Sequence, residues 1–165
     1  MAETTGDSTL SEHPDSIHFM SYEYEGQNFS VVKTPFKDFA GTTVKDQVLL
    51  KILDSQRELH GEIYGNFKNG EFFSISLTNT HTHDFKSVEL DEGHVNGVVR
   101  ETIAQMLIQD KVSAWLSSGT LLEGGKITYD RLLSDERLTG KKILLPKPDS
   151  DTGKPRYQYS ISKRK

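Results

Sequence analysis

The residues with the clearest chemical potential form one short run, Glu92-Gly93-His94-Val95-Asn96-Gly97. It lies between a strand-like segment, Phe85 to Leu90, and a helix-like one that begins near Val95. A chain that leaves a strand, turns on glycines and starts a helix aims several unpaired backbone N–H groups at one point. That point suits an anion, most often a phosphate. The chemistry read from this run is therefore the binding of a nucleotide or coenzyme through main-chain amides.

Other chemistries find less support. His81 and His83 would share one face of an extended strand, a geometry that holds zinc when a third ligand is present. Nothing else in the sequence supplies that ligand, and Thr78-Asn-Thr-His81 reads as a hairpin loop, so no metal site is assigned. The chain has no cysteine, which excludes disulfides, thiolate nucleophiles and cysteine-ligated metals. Trp115-Leu-Ser-Ser-Gly119 lacks the Gly-x-Ser-x-Gly elbow of serine hydrolases, and no Walker-type glycine-lysine loop occurs. The basic, aromatic C-terminus (Arg156-Tyr-Gln-Tyr159 and Lys163-Arg-Lys165) has the residue types that stack on bases and pair with phosphates. An edge strand explains it more simply, so nucleic acid is not the expected partner.

These groups must be positioned by a chain of 165 residues, the length of one domain with a proper core. No apolar run approaches the roughly 20 residues that span a bilayer. The first residues lack the basic and apolar regions of a secretory signal. A cytoplasmic protein with no membrane association is the expectation. The net charge of −4 does not attract nucleic acid. Residues 1–16 are rich in Ser, Thr, Asp and Glu and are expected to be a disordered tail. Residues 17–161 form the expected domain, and 162–165 a short basic tail.

The elements follow from periodicity. His18 to Glu25 and Asn28 to Lys33 read as a hairpin turning at Glu25-Gly-Gln-Asn28. Thr43 caps an expected helix with apolar positions Val44, Val48, Leu49, Ile52 and Leu53, ending near Arg57. Leu59 to Phe67 and Glu71 to Leu77 form a second hairpin on Lys68-Asn69-Gly70, because Asn-Gly tolerates positive φ at both turn positions. Val95, Val98, Val99, Ile103, Met106 and Leu107 match the helical period and predict a helix over about 95–109. Val112 to Leu116 reads as a strand parallel to 85–90, since a helix joins the two. A helix through Ile127, Tyr129, Leu132 and Leu133 follows, then strands at 142–145 and 157–161. The fold class is α/β (α+β): a mixed, mainly antiparallel sheet with helices on both faces.

This order, over about residues 18–161, resembles the GNAT superfamily of acyl-CoA N-acetyltransferases. That fold runs strand, one or two helices, three antiparallel strands, helix, strand, helix, two strands. Its members hold the pyrophosphate of coenzyme A on an Arg/Gln-x-x-Gly-x-Gly/Ala turn, which here corresponds to Glu92 through Gly97. Gly97 matches the final glycine and Gly93 is a further one, whereas Glu92 and Val95 replace the basic first position and the middle glycine. The resemblance implies coenzyme binding by Leu90, Gly93, His94, Val95, Asn96, Gly97 and Val98, with the acyl donor in a splay between 85–90 and 112–116. It implies Tyr129 as the acid that protonates the departing thiolate, and Glu89 as a general base for an amine. The cosubstrate would be acetyl-CoA or another acyl-CoA, and the acceptor an amine on a small molecule or a protein. The alternative keeps the fold without the reaction: a catalytically inactive GNAT-fold protein that binds a protein partner or, less favoured, nucleic acid. The acidic Asp91 and Glu92 beside the expected pyrophosphate support this alternative.

Overall fold

In the computed structural model, residues 16–79, 86–87, 97–119, 121 and 123–165 are described. The N-terminal half is a meander in which each strand pairs antiparallel with the next: β1 (Ile17–Tyr24), β2 (Gln27–Lys37), β3 (Thr43–Asp54), β4 (Leu59–Lys68) and β5 (Glu71–Asn79). Two of its turns were legible from sequence. Glu25 and Gly26 have φ of 50° and 79°, and Asn69 and Gly70 have φ of 55° and 81°. Positive φ at both positions gives the turn whose twist matches two antiparallel strands.

A short β6 (Lys86–Ser87) follows, then α1 (Gly97–Ile108), β7 (Ala114–Leu116), α2 (Glu123–Leu133), β8 (Leu138–Leu144) and β9 (Tyr157–Lys163). The strands form one sheet in the order β1-β2-β3-β4-β5-β7-β9-β8, with β6 paired to β5 off that path. The β5·β7 pair is parallel and the other pairs are antiparallel.

Three expectations require correction. The segment after Thr43 is a strand, not a helix. Val48, Leu50 and Ile52 share one face of β3 while Leu49, Lys51 and Leu53 share the other. A strand that is apolar on both faces shows no alternation and can reproduce helical spacing by accident. Lys51 is buried opposite Glu62 on β4, which further hides the two-residue period.

Second, β7 is parallel to β5, not to the 85–90 segment, whose described part, β6, runs antiparallel to β5 at Thr78 and Asn79. The reason lies at the start of the strand. The Gly70 carbonyl accepts hydrogen bonds from the Ser113 N–H (2.7 Å) and hydroxyl (3.1 Å), which fixes the chain entering β7 beside the chain entering β5. Trp115 then stacks on Phe72, with centroids 4.4 Å apart and planes at 11°.

Third, both described helices cover the same face. Cross-strand register carries one face from Tyr22 through Phe29, Val31, Ile52, Leu50, Ile63, Phe67, Phe72 and Trp115 to Ile161 and Tyr159. Helix α1 meets that face through Thr102 on Tyr22, and α2 through Tyr129 on Trp115 and Tyr159. Among the described residues, the opposite face carries no helix. The core is therefore one layer between sheet and helices, including Val99, Ile103, Met106 and Leu107 from α1 and Tyr129 and Leu132 from α2. Strand β9 also extends to Lys163, taking in the start of the expected basic tail.

Candidate functional site

The only parallel pair among the described strands is short, and beyond it the described parts of β5 and β7 follow different neighbours. Glu71, Phe72 and Phe73 face Ala114, Trp115 and Leu116. Beyond Leu116 the chain follows β9: the Ser117 N–H donates to the Tyr159 carbonyl (2.9 Å), and the Tyr159 N–H donates to Ser117 Oγ (2.9 Å). Strand β5 instead stays with β4 as far as Asn79, and β6 takes its other edge only at Thr78. The Ser74–Leu77 stretch of β5 is thus left unpaired by β7. Ser74, the first residue past the last β5·β7 pair, is fully buried, and among the described residues its Oγ has no hydrogen-bond partner. A buried hydroxyl without a partner costs free energy unless something fills that role.

The register places Tyr24, Phe29, Asp54, Gly61 and Asn79 at the end of the sheet where β5 and β7 terminate. Helix α1 begins at this end. Gly97 lies against Tyr24, so close that a Cβ at Gly97 would sit 2.6 Å from the phenol oxygen. Just inside the helix, the hydroxyls of Tyr22 and Thr102 are hydrogen-bonded to each other at 2.6 Å, and both lie within hydrogen-bond reach of the Val98 carbonyl, at 3.1 and 2.8 Å. Burial pushes the Tyr22 phenol well above its ordinary value, with the Thr102 hydrogen bond working the other way, so Tyr22 stays protonated and serves as a clamp. The first turn of α1 carries no acidic residue. Crevices at the carboxyl ends of parallel strands, where helices begin, are where open α/β sheets bind ligands.

Of the sequence-predicted site residues, Gly97 and Val98 are at this end, at the start of α1. Glu89, Leu90, Gly93, His94, Val95 and Asn96 lie outside the described residues, as do His81 and His83. Tyr129 is in the core: fully buried, stacked on Tyr159 at 5.4 Å, and accepting a hydrogen bond from Trp115 Nε1 at 3.1 Å. Through Trp115 it touches the last paired residues of β7, beside the opening. No group of three His, Cys, Asp or Glu side chains arranged for a metal ion occurs among the described residues. No helix among them is long and apolar enough to cross a membrane.

Two features escaped the sequence reading. Ser74 has no local signal, because only the parting of β5 and β7 makes it special. Asp54 and His60 pair at 2.8 Å beneath Phe29 at the same end of the sheet. The Asp54 carboxylate also accepts the Gln56 and Glu58 N–H groups, at 2.8 and 2.9 Å. Burial alone would raise its pKa, but the His60 and main-chain hydrogen bonds outweigh that and hold it below the ordinary carboxylate range. This arrangement fastens the β3–β4 turn.

No family model matches the sequence, and no curated protein matches it. A search of solved structures finds the crystal structure of nourseothricin acetyltransferase, 12% identical over 90% of this chain and 87% of that one, with a TM-score of 0.41. The class of fold defined here is a mixed α+β domain. From β5 onward its elements run strand, short strand, helix, strand, helix, two strands.

Proposed function

We propose that the protein is an acyl-CoA-dependent N-acyltransferase that moves an acyl group to an amine. The observation that carries this reading is the parting of the parallel strands β5 and β7 beside the unpartnered Ser74 hydroxyl, at the end where α1 begins. An opening between two strands offers main-chain groups to an extended amide-bearing chain, which is the chemical form of the coenzyme's pantetheine arm. A buried hydroxyl at its apex suits a polar atom of such a ligand. The helix start at Gly97 suits its phosphates.

In this reading a neutral amine attacks the thioester carbon, the carbon–sulfur bond breaks, and the amine proton leaves to a base. Tyr129 is the residue assigned to protonate the thiolate, and the Trp115 N–H on its oxygen would stabilise the phenolate left behind. Glu89 remains the proposed base. The site was expected between 85–90 and 112–116; it is now assigned between β5 and β7. The full burial of Tyr129 favours a second reading, a non-catalytic interaction protein on the same fold.

The test is thiol release from acetyl-CoA with a panel of primary amines, comparing wild type with Tyr129→Phe. Amine-dependent release that drops in the variant is expected. Release from no amine by wild type would leave the non-catalytic reading.

A further inference from the structure

A second concave site lies at the same end of the sheet but at its other edge. The loop between β8 and β9, the beginning of α2 and the chain leaving β7 enclose a cleft of about 330 Å³. Four cationic side chains line it, Lys126, Lys142, Lys154 and Arg156, against one carboxylate, Asp149. This concentration occurs in a chain whose net charge is −4.

The cations are held in place by the fold. Lys142 Nζ sits over the rings of Tyr157 and Tyr159, at 4.6 and 5.7 Å from their centroids, so its position is preset. Arg156 Nε donates to the Lys147 carbonyl at 3.0 Å, fixing the guanidinium plane. Lys154 rides on a closed turn in which the Asp149 N–H donates to the Lys154 carbonyl (2.9 Å) and the Gly153 N–H to the Asp149 carbonyl (2.8 Å). The Asp149 carboxylate is itself engaged, accepting the Asp151 and Thr152 N–H groups at 2.8 and 2.9 Å. Those main-chain bonds hold it below the ordinary carboxylate range. Among the described residues, Lys126, Lys142 and Lys154 form no ion pair with a carboxylate. Like charges gathered in a concave site focus a positive potential that an anion relieves. The enclosed volume is at the small end of ligand pockets and suits a compact molecule, not a polymer.

We propose that this cleft binds the phosphate dianion of a small phosphorylated molecule distinct from the acyl donor. The separation follows from the strand order. The start of α1, assigned to the coenzyme's phosphates, packs on β1, whereas the cleft is built on β8 and β9, at the opposite end of that order, and β7 lies between the cleft and the opening beside β5. The inference does not require acyl transfer, and the two fail separately.

Inorganic pyrophosphate is the probe, titrated calorimetrically into the full chain at low salt. Saturable 1:1 binding that weakens steeply with added salt is expected. The double substitution Lys126→Gln/Lys154→Gln should weaken it about tenfold or more, since two of the four cations are removed. Both lysines are exposed, so the melting temperature of the unliganded variant should match wild type. Prior saturation with acetyl-CoA, which occupies the start of α1, should leave 1:1 pyrophosphate binding to the cleft in place. Binding that is absent at low salt, or equally tight in the double variant, overturns the proposal. An isotherm abolished by acetyl-CoA also overturns it, by giving the cleft to the donor. Pyrophosphate binding without any acetyl-CoA binding would refute the acyl-transfer reading and leave this one standing.

Discussion

Replacing Tyr129 with Phe probes stability and chemistry at once. The ring and its stacking on Tyr159 are retained; only the hydroxyl is lost. Trp115 is fully buried, and its Nε1–H has one hydrogen to donate, which goes to Tyr129 Oη at 3.1 Å. The substitution leaves that donor without an acceptor in an apolar layer beside Phe72 and Ile161. A buried donor stranded in this way costs about 1–3 kcal/mol. For a chain of this length each kcal/mol shifts the melting temperature by roughly 2–4 °C, so a fall of about 2–12 °C is expected. Differential scanning calorimetry reads the shift, with near-ultraviolet dichroism to follow the Trp115 environment. If the proposed reaction is correct, kcat also falls at a temperature well below melting while acetyl-CoA affinity is kept, because the proton is needed only as the thiolate departs. An unchanged melting temperature would refute the packing argument. Unchanged kcat in an active enzyme would remove Tyr129 from the chemistry.

Three further outcomes follow from particular contacts. Gly97→Ala should displace the Tyr24 phenol, and Tyr24→Phe should suppress the cost of Gly97→Ala, since the next ring atom is 3.4 Å from the new Cβ; a double-mutant cycle with no coupling contradicts this placement of α1. Arg137 donates to both oxygens of Glu101 on α1, at 2.8 and 2.9 Å, and to Asp135 in the α2–β8 turn. Allowing for its partial exposure, Arg137→Ala should cost about 1–2 kcal/mol in urea unfolding. The same cluster sets a pH dependence. Burial works to raise the Glu101 pKa but is outweighed by its bonds from Arg137 and Gln105, and the Arg137 bond lowers that of Asp135, so both fold with depressed values. Their contribution is complete above the unfolded values of 4.5 and 3.8 and is lost as pH falls through the lower folded ones. Melting curves should therefore show wild type losing more stability on acidification below that window than Arg137→Ala, and parallel losses would count against the network.

The sequence made the two positive-φ hairpins and α1 legible because each rests on a local rule, a turn residue or a helical period. Strand β3 was not legible, since its apolar residues face both sides of the sheet and its buried Lys51 reads as a surface position. The partner of β7 was hidden for a different reason. Three residues carry no pairing code, and the choice of β5 was made by Gly70 receiving Ser113 and by Phe72 receiving Trp115, contacts between residues about forty positions apart. The site followed the same division. Gly97 and Tyr129 are candidates that the resemblance supplies, whereas Ser74 and the cationic cleft exist only once β5, β7 and the β8–β9 loop are brought together.

Calorimetric titration of acetyl-CoA into wild type and Gly97→Glu tests the central claim most directly. A glutamate there would add a side chain and a negative charge at the start of α1, where the phosphates are assigned. Wild type is expected to bind, and Gly97→Glu, checked for folding by circular dichroism, is expected not to. Wild type that fails to bind acetyl-CoA, or binding that survives Gly97→Glu, would contradict it.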